Sequence, residues 1–224
     1  MAQIELLDVN KTYAVGNNVV KAVDGVTLEI EKGEFISIVG HSGSGKTTLL
    51  SIIGGILSPS TGRVVVDNTD IYALDEDRLS EYRALKIGCI FQFSSLLPVL
   101  TAKENLLLPT VFRPEKGNGF EKKAVEHLAL VGLEDKIDAH PSQLSGGQQR
   151  RVAIARAFMN DPDIIIADEP TGDLDEETEA EVMELFKGIN RQRGITFILV
   201  THSSELAKDA TRRLRMTRGR IQEL

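Results

Sequence analysis

The sequence predicts an α/β protein: helices packed on a mainly parallel sheet, an antiparallel β segment at one edge, and a helical segment inserted between sheet strands. Three observations carry this. Phe35–Val39, Ile87–Phe91, Ile164–Ala167 and Phe197–Val200 are short, nearly continuous apolar runs, the pattern of strands buried on both faces of a parallel sheet. Val182, Phe186 and Ile189 fall at i, i+4 and i+7 within Glu176–Asn190, the spacing of one helix face. Ile4–Val9, Lys21–Ile30 and Arg63–Asp67 are β-branched-rich and partly alternating. They are broken by the turn signals Gly16-Asn17-Asn18 and Ser60-Thr61-Gly62, as in antiparallel strands.

Taken in order, the first third reads as the antiparallel edge. Phe35–Val39 is followed by a helical stretch, Thr47–Ile53, and Phe197–Val200 by a shorter one, Ser203–Lys208. Between Gln92 and Asn160 there is no strand candidate. Helix-like segments lie at Ala102–Leu107, Phe120–Val131 and Ser145–Phe158, with a glycine-rich loop at Glu115–Gly119. The expected division is an α/β core from residues 1–92 and 160–224, carrying the antiparallel β subdomain, and a helical subdomain from 93–159.

With 224 residues the chain has room for one large domain or a domain with an insertion. Hydrophobic residues at 42% and charged residues at 26% exclude long disorder. A formal charge of −7 argues against sequence-independent nucleic-acid binding, so no nucleic-acid partner is expected. Cys89 is the sole cysteine, which removes an internal disulfide and a Cys/His metal site and leaves a small strand hydrophobe. The N-terminal residues lack a secretory pattern, and no apolar run approaches the roughly 20 residues that span a bilayer. The expectation is a cytoplasmic chain, held at a membrane through a partner.

Each of the four apolar runs ends in a residue with useful chemistry: Gly40, Gln92, Asp168-Glu169 and Thr201-His202. Ligands of open parallel sheets sit outside the carboxyl ends of the strands. The first run leads into Gly40-His41-Ser42-Gly43-Ser44-Gly45-Lys46-Thr47, which fits G-x-x-x-x-G-K-[ST], between a strand and a helix. Gly43 and Gly45 let the backbone curl with its N–H groups inward, a nest for anionic oxygens. The helix start adds its positive end, Lys46 reaches β- and γ-phosphates, and the Thr47 hydroxyl suits Mg²⁺. Asp168 is placed to hold Mg²⁺ through water, and Glu169 to polarise an attacking water. His202 can offer a donor to a γ-phosphate or that water. Gln92 reaches the same edge.

A second motif is Leu144-Ser145-Gly146-Gly147-Gln148. Ser145 and Gln148 have capping-box spacing, but two glycines in a first helical turn are poor helix formers. They make sense where something must approach the backbone closely, and a helix start with exposed N–H groups is a second anion site.

With these pieces in order, the sequence resembles the ATP-binding subunits of ABC transporters over nearly its whole length. The matches are Gly40–Thr48, Gln92, Leu144–Gln148, Ile164–Glu169, Gly172-Asp173-Leu174-Asp175 and His202. The resemblance implies a P-loop NTPase core, ATP hydrolysis with Mg²⁺, and metal contacts from Thr47, Gln92 and Asp168. Glu169, His202, Lys46 and Gln92 would be catalytic. Nucleotide contacts would come from Tyr13 stacking on adenine, from Gly40 to Thr48, and from Ser145, Gly146, Gly147, Gln148 and Asp173.

The resemblance also implies a head-to-tail dimer of two copies. Each ATP would lie between the Gly40–Thr48 loop of one and the Ser145–Gln148 helix start of the other. The helical segment would pass the motion to an integral membrane permease. Phe91-Gln92-Phe93, Leu96-Leu97-Pro98 and Glu104-Asn105 resemble the MacB/LolD/FtsE-like branch, which serves macrolide and peptide efflux, lipoprotein release and cell division. His41, Thr47 and Asp173 depart from the commoner proline, serine and asparagine without removing a required group. The alternative is a non-transport ATPase of the same type, transmitting mechanical signals through a membrane partner.

Overall fold

The computed structural model describes residues 2–16, 18–113, 117, 119–172 and 174–224. In chain order the elements are β1 (Ala2–Val15), β2 (Asn18–Glu31), β3 (Phe35–Val39), α1 (Lys46–Ile53), β4 (Thr61–Val66), β5 (Thr69–Asp70), α2 (Glu76–Leu85) and β6 (Ile87–Ile90). There follow α3 (Ala102–Leu107), α4 (Phe120–Leu130), α5 (Gly146–Ala157), β7 (Ile164–Asp168), α6 (Glu176–Arg193), β8 (Thr196–Thr201), β9 (Arg212–Thr217) and β10 (Arg220–Glu223).

The alternating strands of the first third form one antiparallel sheet, ordered β2-β1-β4-β5. The near-continuous apolar runs form another, ordered β10-β9-β3-β8-β7-β6, parallel from β9 to β6. Every residue of β3, β7 and β8 is buried, so period-2 alternation is absent where both faces are covered.

Several elements of this architecture were not expected, among them β9 and α2, and one expected helix is reduced. Leu214 and Met216 alternate with exposed Arg213 and Arg215 in β9, burying one side of an arginine-rich strand beside β3. Helix α2 buries only Leu79 and Tyr82, a weak periodic signal, and starts at an Asp75 cap that accepts from Arg78 N at 2.8 Å. The stretch 203–208 holds only a single 3₁₀ turn, Leu206–Asp209, because the chain must reverse at once to bring β9 alongside β3.

Three apolar clusters hold these layers. One fills the space between the two sheets around Ile4, Leu6, Ile36, Ile38, Leu49 and Ile52. A second lies under the other face of the parallel sheet, where the Phe197 ring is 5.2 Å from that of Phe35 and 5.4 Å from that of Phe186. The third unites α3, α4 and α5 through Ala102, Leu106, Leu128, Val152 and Met159. Helix α5 belongs to both of the last two: Ile154 faces the sheet cluster, whereas Val152 and Ala155 face the helical one.

Candidate functional site

The carboxyl ends of β3, β7 and β8 open into one cleft of about 460 Å³. It is lined by Ser42, Gly43, Ser44, Gly45, Lys46, Thr47, Thr48, Gln92, Asp168, Glu169 and His202, with Val20, Lys21 and Ala22 from β2. Parallel register explains the convergence: Val39 pairs with Thr201 and Asp168 with Val200, so the strands end level. The residues from β2 carry no chemical signature in the sequence, and only tertiary structure brings them here.

The loop needs its glycines. Gly43 and Gly45 have φ of +76° and +106°, a region that suits glycine. A Cβ on Gly45 would stand 2.0 Å from the Ala22 carbonyl oxygen. The half-turn delivers Lys46, whose Nζ donates to the carbonyls of Gly40 at 2.7 Å and His41 at 3.1 Å. Gly40 and His41 thus enter through backbone oxygens and do not line the cleft. The Ser44 hydroxyl is buried without a hydrogen-bond partner among the described residues.

Across the cleft, Thr47 Oγ1 donates to Asp168 Oδ2 at 2.6 Å. Burial pushes the Asp168 carboxyl above its ordinary range, and the neighbouring Glu169 charge adds to this; the Thr47 hydrogen bond and the Lys46 charge act the other way. Glu169 sits at φ +47°, a left-handed conformation that costs a non-glycine residue on the order of 1 kcal/mol. Its amide is tied to the Val200 carbonyl at 2.9 Å. Its Oε2 accepts from Thr201 Oγ1 at 3.1 Å and lies 2.9 Å from Nδ1 of the exposed His202.

The arrangement offers an anion nest, a lysine, a hydroxyl–carboxylate pair and a carboxylate–histidine pair within one small volume. Thr47 and Asp168 present hard oxygen donors of the type Mg²⁺ prefers, with Gln92 on the same cleft, so the residues present fit that ion. The buried, unpartnered Ser44 hydroxyl fits an added anionic oxygen.

The other motif stands apart. Ser145 caps α5, accepting from Gln148 N at 3.2 Å, while Gln148 Oε1 accepts from Ser145 N at 2.9 Å. None of Ser145–Gln148 lines the cleft. A Cβ on Gly146 would meet nothing within 4 Å, and one on Gly147 would only touch Leu174 at 3.4 Å. Among the described residues nothing requires the Gly146 glycine. Tyr13 also lies outside the cleft; it pairs in register with Val20, which lines it, and Lys11 Nζ is 5.6 Å from its ring centroid. Asp173 lies outside the described residues.

A sequence model of the family described as ABC transporter matches residues 23–172. The chain belongs to the ABC transporter family. The cassette is 45% identical over 223 residues to an uncharacterized ABC transporter ATP-binding protein of Methanocaldococcus jannaschii, MJ0796, covering 98% of this chain and 95% of that one. It is 44% identical to the ABC transporter ATP-binding protein YtrE of Bacillus subtilis, over 91% of this chain and 90% of that one. It is 41% identical to a macrolide export ATP-binding/permease protein, MacB, of Rhodopirellula baltica, where it spans 98% of its own length but 32% of that protein. Its structure aligns with the dimeric post-hydrolysis state of MJ0796 bound to ADP and Pi, at TM-score 0.93 and 43% identity, over 99% of this chain and 97% of that one.

Proposed function

We propose that this cassette binds and hydrolyses ATP with Mg²⁺ and, as a head-to-tail dimer of two copies, powers a membrane permease. The observation that carries the reading is the separation of two anion sites. The cleft at the sheet edge gathers the loop, Asp168, Glu169 and His202, while the start of α5 does not line that cleft. A helix start with an open Gly146 is explained by a phosphate brought by a second copy. The ADP- and Pi-bound dimer of the similar MJ0796 cassette supports this.

Within one copy, the amides of Ser42–Thr48 take the phosphates. Lys46 exchanges the carbonyls of Gly40 and His41 for β- and γ-phosphate oxygens. Thr47, Gln92 and Asp168 hold Mg²⁺, which neutralises charge on the phosphate oxygens when bound. Glu169 orients and polarises the attacking water, and His202, set by the Glu169 carboxylate, donates toward the γ-phosphate. Tyr13 stacks on adenine. Ser145–Gln148 of the second copy close the site.

Residues 93–159 act as a helical subdomain that moves against the core and meets the permease. The exposed Phe91, Phe93 and Phe112 support this. Phe91 and Phe112 rim a groove of about 450 Å³ shared with Cys89, Leu108 and Pro109. Among the described residues no helix is long and apolar enough to cross a membrane; the permease is a further segment or another polypeptide, and the cassette docks on it at the cytoplasmic face of the membrane. Its relation to MacB favours export as the direction.

ATP turnover tests the reading. The purified protein should release phosphate from ATP only with a divalent cation. Lys46→Ala should lose about 2.7–4 kcal/mol of phosphate stabilisation, by analogy with one positioned oxyanion donor. Unchanged nucleotide affinity and rate in that variant would refute the assignment.

A further inference from the structure

The segment 91–95 connects β6 to the helical region without belonging to a helix or strand. Its carbonyls therefore lack ladder partners. Four of them are taken up by two arginines of α5, and the Phe93 carbonyl accepts from Ser95 Oγ at 3.3 Å. The buried Arg150 donates from Nη1 to the Phe91 carbonyl and from Nη2 to the Gln92 carbonyl. Arg156 donates from Nη2 to the Ser94 carbonyl and from Nη1 to the Ser95 carbonyl, both at 2.9 Å. The two arginines are six residues apart, roughly 9 Å along the helix, and four extended residues span at most about 13 Å.

The chemistry is particular to arginine. A planar guanidinium offers parallel N–H donors that fit two carbonyls at once, whereas a lysine ammonium is a compact point charge with no such fork. Burying Arg150, at 2% exposure, is expensive unless its donors are engaged. A tether of the loop's outer end to solvent-facing groups would need no such investment.

We propose that Arg150 and Arg156 are positioning residues that clamp the Gln92 loop to α5, so that Gln92 in one ATP site follows the helix start that serves the other. The proposal rests on the dimeric reading given above for its second clause. The clamp itself is a property of one chain. Ser145–Gln148 and the two arginines belong to one rigid helix, Gln92 lines the cleft, and the backbone of Gln92 is held by Arg150. A phosphate engaging the start of α5 therefore bears directly on where Gln92 stands in the cleft of the same chain. Gln149 adds a weaker contact at the same place, its Oε1 3.5 Å from Ser94 Oγ.

The test uses the full chain with Arg150→Lys, Arg156→Lys, Gln92→Ala and the Gln92→Ala/Arg150→Lys double variant. In Arg150→Lys, turnover should fall about 10- to 100-fold, the range for a catalytic group displaced by around 1 Å, with the KM for ATP within about twofold and a Hill coefficient moved toward 1. The double variant should be no slower than Gln92→Ala alone, because both act through one group. Chymotryptic cleavage after Phe91 or Phe93, without nucleotide and well below the melting temperature of both proteins, should accelerate several-fold in Arg150→Lys. Wild-type turnover in Arg150→Lys, or losses that add in the double variant, would overturn the positioning role. Unchanged cleavage would overturn the clamp. If cleavage accelerates while the wild type neither hydrolyses ATP nor associates with it, the clamp stands and the functional reading falls.

Discussion

The sheet edge and the start of α5 are the two proposed anion sites, but their polar groups are satisfied in opposite ways. At the sheet edge, partners come from distant parts of the chain: Thr47 reaches Asp168, and Glu169 reaches Thr201 and His202. At the start of α5, Ser145 and Gln148 satisfy each other across a single turn, and Gly146 faces open space. The first site is assembled by tertiary structure and tightly packed. The second is locally complete as a helix start and chemically unfinished. Changes at the first should disturb folding and chemistry together; changes at the second should disturb function alone.

The largest expected effect is in Glu169→Gln. Removing a general base typically lowers turnover 10²- to 10⁴-fold, and the variant should still bind ATP, as phosphate release and nucleotide binding would show. Turnover within tenfold of wild type would remove Glu169 from the role of base.

Next come two glycines that separate the regions directly. Gly45→Ala forces a Cβ against the Ala22 carbonyl at φ +106° and should destabilise the fold by about 2–3 kcal/mol in urea unfolding. Gly146→Asp should change stability by less than about 1 kcal/mol, an acidic residue being favoured in a first helical turn, yet abolish ATP-driven association. Equal stability losses in the two variants would erase the distinction.

The same contrast governs what could be read from the sequence. The strand ends were legible because buried parallel strands are near-continuous apolar runs, so Gly40, Gln92, Asp168 and His202 stood out where the runs stopped. The start of α5 was legible because its capping is local to Ser145 and Gln148. Strand β9 was hidden because its outward positions are arginines, and α2 because it buries little. The contribution of Val20, Lys21 and Ala22 to the cleft depends on how one sheet lies over the other, which no local pattern encodes. The loop-holding role of Arg150 and Arg156 was likewise invisible: in sequence they are polar residues on a capped helix.

A subtler effect follows from Asp168. Burial raises its pKa in the folded chain, so the folded state favours the protonated form. The resulting destabilisation is absent below the unfolded value of about 3.9 and appears as pH rises through the folded pKa. Nucleotide-free Asp168→Asn should therefore melt higher than wild type at neutral pH, the difference vanishing in acid, while losing Mg²⁺-dependent hydrolysis. A lower melting temperature at neutral pH would contradict this. The smallest effect is expected at Tyr13, half exposed beside the cleft. Loss of a stacking contact in Tyr13→Ala, about 1 kcal/mol, should weaken ATP binding roughly fivefold without changing turnover at saturation.

The most direct measurement is sedimentation of Glu169→Gln with and without saturating ATP and Mg²⁺. A monomer is expected without nucleotide and a dimer with it, with reversion to monomer when Gly146→Asp is added. A profile that stays monomeric at saturating ATP would contradict the claim that the second half of each site comes from another copy.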